Sequence, residues 1–265
     1  MQQWIDLATT NAIGCRLSLS SFFLISEDAR RWCNSMFSNN IRKLQTAQGN
    51  RSAICDDRGR VQGLIDVYCL EDEHFLCVLD GIDNDWFLQR YNMYLMLDDI
   101  EQEELSEAVF HICGPTAEKL LLDAGFSLPP EELQYSNSNG THIARKNRFG
   151  VAGFDLISTT PDSLEEQLLQ ASVSFAPDEA INALRILNGI AKWPDEGTEK
   201  TMIHELQLNK ECCAFDKGCY VGQEIINRID VKGILNKKIH RLSIEGVAQI
   251  GDSLQLEGQE VGRLT

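Results

Sequence analysis

The chain has 265 residues, 43% of them apolar and 24% charged, with nine cysteines and a formal net charge of −16 at pH 7. That length accommodates one large domain or two to three small ones, each with its own core, and the composition is that of an ordinary globular protein. The acidic balance repels phosphate backbones and argues against bulk nucleic-acid binding, and no apolar run approaches the roughly 18 residues of a membrane span.

The amino-terminal stretch through Ser26 lacks a basic segment followed by an unbroken apolar one, so no secretory signal is indicated and a cytoplasmic location is expected. After it, Ser26 is a suitable N-cap, and Ala29, Trp32, Cys33, Met36 and Phe37 recur at helical spacing, predicting a helix that ends near Asn39. Arg51 to Asp56 and Val61 to Leu70 are β-rich runs flanking the turn residues DRGR, a hairpin pattern in which Gly59 supplies the permissive backbone. His74 to Asp80 reads as a strand, Asp85 to Leu97 as a helix, and Ala108 to Cys113 as a strand leading through Gly114 and Pro115 into the helix Ala117 to Ala124.

The loop between Ser127 and Gly140, rich in Pro, Ser and Asn, is the best internal boundary. Strands are predicted near Thr141 to Lys146 and Gly153 to Ser158, then a helix from Pro161 and another from about Pro177 to Asn188, stopped by Gly189. Beyond Lys237, the segments Ile239 to Ile244, Ser253 to Leu256 and Glu260 to Leu264 read as short strands between glycine turns, the start of a β-barrel that three strands cannot close. The implied division is 1–130, 131–236 and 237–265, an α+β body followed by an incomplete barrel.

Charge is unevenly spread. From Glu71 to Glu107 there are twelve acids and one base, Arg90, which reads as a solvated acidic face. From Leu208 to Arg241 seven Lys or Arg stand against four Asp or Glu, a basic island suited to a compact anionic ligand or a partner loop. Cys15, Cys33, Cys55, Cys69, Cys77, Cys113, Cys212, Cys213 and Cys219 form no CxxC pair and no regular framework, so most read as buried reduced thiols and no metal site is expected.

The basic island contains Lys217-Gly218-Cys219-Tyr220-Val221-Gly222-Gln223-Glu224, a glycine-permitted turn entering a helix. Val221, Ile225 and Ile229 lie four apart and predict the buried face of that helix, with Gln223, Glu224, Asn227 and Arg228 projecting elsewhere. Cys219 is then expected near a helix start beside Lys217, where dipole and cation both favour thiolate. The same residues also fit a plainer role, with Cys219 a small buried hydrophobe and Glu224 and Arg228 a surface pair.

The segment KGCYVGQEIINR is similar to the signature KGCYxGQExxxR of the YgfZ branch of the YgfZ/GcvT family, at every fixed position through Arg228. AICDDRGR resembles the family's strand-turn element, ICGPTAEKLL its GP-helix element, RFGVAGFDLI its GxxGFEL segment and ALRILNGIA its LRIEAGIP helix. The resemblance implies a folate-binding fold with a central cavity and a C-terminal barrel. It implies tetrahydrofolate contacts from Asp155 and Arg185, residue types able to accept from pterin N–H groups and to clamp a tail carboxylate, and both are expected to face the cavity. It further implies an accessory protein that supports assembly or repair of iron–sulfur enzymes and tRNA modification, with Cys219 as its functional thiol among Lys217, Tyr220, Gln223, Glu224 and Arg228. Folate and iron–sulfur enzymes or assembly proteins are the expected partners.

Departures keep two further readings in play. Leu187 replaces the family's LRIEAG glutamate, Asn40 stands where an aspartate is common, and His204-Glu205 replaces a proline-led pair. One alternative is a folate-dependent aminomethyltransferase or demethylase, which needs a carboxylate beside the accepting nitrogens. The other is a non-catalytic binding module that kept the fold and lost folate.

Overall fold

The run VQGLIDVYCLE is apolar at consecutive rather than alternate positions, as in a strand covered on both faces. In the computed structural model, which describes residues 1–233 and 235–265, it is buried along nearly its whole length. The elements in chain order are α1 (Gln2–Thr10), β1 (Ile13–Ile25), α2 (Ala29–Met36), β2 (Gly49–Cys55), β3 (Val61–Glu71), β4 (His74–Asp80), α3 (Asn84–Leu97), β5 (Glu101–Cys113) and α4 (Ala117–Asp123). They continue with β6 (Tyr135–Ser138), β7 (Thr141–Arg145), β8 (Gly153–Ile157), α5 (Pro161–Gln170), α6 (Asp178–Leu187), α7 (Asn209–Cys212), α8 (Gln223–Lys232), β9 (Ser253–Leu256) and β10 (Gln259–Arg263).

Eight strands form one antiparallel sheet in the order β2-β3-β4-β1-β5-β8-β7-β6. The sheet curls until its ends almost meet. Gly49 N–H donates to Leu133 O at 2.7 Å and Tyr135 N–H to Ala47 O at 2.9 Å, beside a bridge between Gln48 and Gln134. The stretch 127–140 that marks a boundary in the sequence contains β6, and the sheet runs through it because β8 pairs with β5.

Helices cover the outer face in two groups. Trp32, Phe37, Phe87 and Tyr91 from the α2 and α3 regions pack on Ile65, Val67, Phe75 and Cys77, and Leu121, Leu164 and Leu168 from α4 and α5 pack on Phe110, Ile112, Phe154 and Leu156. The inner face carries Tyr68, Leu76, Val78, Val109 and Ile157 as its apolar layer. Leucine-sized burial at about 1.5–3 kcal/mol per side chain makes these three clusters the main source of stability.

Several predicted elements shift. The helix expected from a Ser26 cap begins at Ala29, because Ser26 Oγ accepts the Asp28 N–H and closes a turn first, and it ends at Met36 where Phe37 becomes extended. The strand expected at Ala108 starts at Glu101: Glu101–Glu104 pair only with β1, so their polar side chains remain in solvent. The strand expected at Ile239–Ile244 is absent. The Ile239 N–H donates to Glu205 O at 2.9 Å and its carbonyl accepts Gln207 Nε2 at 2.7 Å, so a loop satisfies its backbone. Beyond Lys237 the described residues contain one two-stranded hairpin, β9 and β10. No helix among the described residues is long and apolar enough to cross a membrane.

Candidate functional site

Asp66 lies in the middle of β3 and points to the inside of the curled sheet, where it is fully buried. A carboxylate there costs several kcal/mol unless matched. Three cations match it: Arg51 from β2 at 3.1 Å, Lys146 from the end of β7 at 2.7 Å and Arg148 at 3.2 Å. Arg148 also grips Asp155 of β8, Nε donating to both carboxylate oxygens at 2.9 Å, and Arg51 reaches Asp80 at 2.6 Å. His111, opposite Asp155 in the β5–β8 register, places Nδ1 2.8 Å from its Oδ1.

The electrostatics follow from that geometry. Burial alone would raise the Asp66 carboxyl, yet Lys146, Arg51 and Arg148 outweigh it and hold it well below the usual range. At Asp155 burial is likewise overcome by Arg148 and the His111 hydrogen bond, and the carboxyl titrates low. Burial lowers His111, so the neutral ring donates through Nδ1 while its Nε2 and the Tyr68 hydroxyl are buried with no hydrogen-bond partner among the described residues. Three cations, Arg51, Lys146 and Arg148, and three carboxylates, Asp66, Asp80 and Asp155, thus neutralise one another inside the curled sheet.

The expectation that Asp155 and Arg185 share one cavity is not met. Asp155 is 1% exposed and its oxygens are occupied by Arg148 and His111. Arg185, on α6, is also buried, but its guanidinium serves Glu196 at 2.7 Å, Ile190 O at 3.2 Å and Asn182 at 2.8 Å. It borders a different cavity of about 730 Å³, lined also by Glu205, Gln207, Lys238, His240 and Leu242 from the chain that follows. The reason is local: the acidic Asp195-Glu196 pair after α6 offers Arg185 nearby carboxylates, and Arg148 does the same service for Asp155 from the β7–β8 loop.

KGCYVGQE is set against the β2–β3 turn by backbone contact. Gly222 has φ +82° and Gly59 φ +72°, and a Cβ added at Gly222 would stand 2.6 Å from Asp56 O and 2.8 Å from Gly59 Cα. Only glycine allows that approach. Tyr220 and Ile226 are buried beside Cys55, Cys212, Cys213 and Val61, so Ile226, rather than the predicted row Val221, Ile225 and Ile229, is the fully buried anchor of α8. Left-handed Gly222 rotates the helix start and so changes which residues face inward.

Cys219 lies three residues before Gly222, the N-cap, so it is outside α8 rather than at its first turn. It is the exposed cysteine; the other eight are buried. Burial pushes Cys213 up to about 11 and Cys113 up to about 12, and raises Cys33, Cys55, Cys77 and Cys212 well beyond the ordinary thiol. Lys217 does not pair with Cys219. Its Nζ donates to Phe37 O at 2.7 Å and Asn39 O at 2.6 Å and sits 4.8 Å from the centre of the Tyr220 ring, and burial brings it down to about 8. Gln223 Nε2 donates to Lys217 O at 3.4 Å, whereas Glu224 and Arg228 are exposed and make no ion pair with each other among the described residues.

A match to the GCVT N-terminal domain covers residues 18–217, most of the chain. The chain belongs to the GCVT N-terminal domain family. The aminomethyltransferase of Lysinibacillus sphaericus is 28% identical over 93% of this chain and 71% of its own length. That of Thermoanaerobacter pseudethanolicus is 23% identical over 90% and 69%, and an uncharacterized protein of Haemophilus influenzae 20% identical over 91% and 78%. The crystal structure of glycine cleavage system aminomethyltransferase T from Bartonella henselae superposes with a TM-score of 0.79 at 17% identity, covering 87% of this chain and 66% of that one. The chain therefore spans about two thirds of the length of these proteins and has the GcvT-like fold, with its mixed α/β architecture around a curled sheet.

Sequence reasoning found Asp155 but missed Asp66, Arg51, Arg148, Lys146 and His111. A signal was present: an aspartate within the apolar run Leu64–Leu70 must be paired, and Arg51, Lys146 and Arg148 stand in or just after predicted strands as candidate cations.

Proposed function

We propose that this protein is a YgfZ-type member of its family, a tetrahydrofolate-binding accessory protein that supports iron–sulfur enzymes and tRNA modification through the thiol of Cys219. The observation that carries this reading is selective exposure: of nine cysteines, Cys219 is the one offered to solvent, on a loop fixed to the body by the Gly222–Gly59 approach and by Lys217. A loop so held presents its thiol at a constant position, which suits exchange with a partner's sulfur or iron. Lys217, Tyr220 and Gln223 hold the loop; Glu224 and Arg228 remain free for a partner. Arg185 and Asp155 are proposed folate contacts, which requires ligand to draw each from its present ion pair. The cytosol, where thiols stay reduced, fits this chemistry.

Folate-dependent aminomethyl transfer is the second reading, favoured by the names of the relatives. Asn40 stands against it, since an amide engaged with the Lys43 N–H is no general base.

The deciding experiment is restoration of iron–sulfur enzyme activity in cells lacking the family member, with wild-type protein and Cys219→Ser, beside calorimetric titration with tetrahydrofolate and 5-formyltetrahydrofolate. Failure of Cys219→Ser with folate binding intact supports the accessory role. Full restoration by a folded Cys219→Ser removes it, and absence of folate binding leaves only the binding-module alternative.

A further inference from the structure

The carboxyl-terminal half of α3 carries more apolar surface than the core uses. Phe87, Tyr91 and Leu95 lie four apart and are buried. On the opposite side Met93, Met96 and Leu97 fall within about a third of the helix circumference, with Tyr94 at the margin. Their exposures are 71%, 74%, 77% and 50%, so this is a contiguous patch rather than scattered single residues.

The charges around the patch are mostly acidic. A helix carboxyl terminus bears partial negative charge and is ordinarily matched by Lys or Arg in its last turn. The last turn of α3 has no basic residue, and Asp98 and Asp99 follow it directly. Arg31 engages Asp98 at 2.6 Å, but Asp99, Glu101, Glu103 and Glu104 are exposed and unpaired among the described residues. The chain then doubles back toward the start of α3, where Gln102 Nε2 donates to Asn84 Oδ1 at 3.0 Å, so Asp99 and Glu101 are the carboxylates that follow the carboxyl end of the helix before that contact. Arg90, the base of this run, is turned to Trp86, Tyr91 and Cys55 O.

We propose that this face of α3 is a docking surface for a basic amphipathic segment of a protein partner. Apolar side chains of that segment seat on Met93, Met96 and Leu97, and its Lys or Arg side chains meet Asp99, Glu101 and the negative end of the α3 dipole. Methionine suits such a contact because its unbranched thioether adapts to the shape pressed against it. The carboxylates exclude nucleic acid and an anionic bilayer. They also disfavour a second copy, since a two-fold contact would bring identical acidic rims together.

The test uses intact protein and a fluorescein-labelled amphipathic helical peptide of Leu and Lys, about 18 residues long. Its controls are a Leu/Glu analogue and a scrambled Leu/Lys peptide. Anisotropy should report saturable binding that is at least about tenfold weaker for either control and that weakens as NaCl rises from about 50 to 300 mM. Met96→Lys with Leu97→Lys should lower affinity at least about tenfold, while Leu122→Lys on α4, also exposed but in the other helix group, should not. Circular dichroism confirms folding, and Leu97→Ser, a milder change, replaces the double variant if that unfolds. No saturable binding, equal binding of the Leu/Glu peptide, or indifference to the α3 changes overturns the proposal. So does a dimer in sedimentation velocity that the α3 variant dissociates, because a second copy would then be the occupant.

Discussion

Asp155 and Cys219 carry the two chemistries expected of the site, and their surroundings differ at every level. Asp155 is enclosed by the curled sheet and has its oxygens filled by Arg148 and His111, so without ligand its charge is matched inside the sheet. Cys219 is exposed, and its surroundings supply position rather than charge: Lys217, two residues away in sequence, is turned to the carbonyls of Phe37 and Asn39. A residue type apt for chemistry therefore does structural work in one region and stands available in the other. What separates them is how completely neighbours satisfy the polar atom.

The largest effect that tests this contrast is expected from Asp66→Ala. It leaves Arg51, Lys146 and Arg148 buried without their shared carboxylate, and urea denaturation should register a loss of about 3–5 kcal/mol. A loss under 1 kcal/mol would mean that water reaches the interior. Next comes Gly222→Ala, which forces a left-handed backbone on alanine and a Cβ against Asp56 O; about 2 kcal/mol of stability should go, with the thiol displaced. Unchanged stability would show that the loop is not held by that approach.

Alkaline titration sharpens the contrast among thiols. The folded protein keeps the buried cysteines protonated, while the unfolded chain releases those protons from about pH 8.5. Folded pKa above unfolded means stability is intact below that pH and declines as pH climbs, by about 1.4 kcal/mol per unit for each thiol involved. The melting temperature should fall steeply above about pH 8.5; a flat profile to about pH 10 would show that the thiols are not sealed. The smallest effect belongs to Cys219→Ser, expected within about 0.5 kcal/mol of the parent. Iodoacetamide on native protein followed by peptide mapping should label Cys219 alone, and labelling of Cys212 or Cys213 at a similar rate would dissolve the distinction.

The sequence made the hairpin around Gly59 legible because a glycine turn between two β-rich runs has one reading, and β2 and β3 pair there as expected. It also yielded α5 from Pro161 and α6 ahead of Gly189, where proline and glycine mark the ends. β1 was opaque: Cys15 to Ser20 alternates over too short a run, and at Ser20-Ser21 the period of two breaks, where the strand's register shifts. The exposure of Cys219 and the burial of the other cysteines cannot be read from spacing, because thiols are common in both settings. Ion pairing of Arg185 with Glu196 was hidden for another reason. It depends on the chain folding back eleven residues later, through a loop without periodicity.

The position of β1 has a bearing on how the chain is made. It lies inside the sheet of eight, yet its neighbours are β4 and β5, so Ser21–Ile25 find β4 only after Val78 has appeared, and Ile13–Ser18 find β5 only after Cys113. At about 5–20 residues per second, a growing chain holds this apolar ribbon unpaired for roughly 5–20 s, whereas β2, β3 and β4 can pair as they emerge. Synthesis thus delivers the middle of the sheet before its flanks, and the nascent protein depends on shielding of its first strand during that interval.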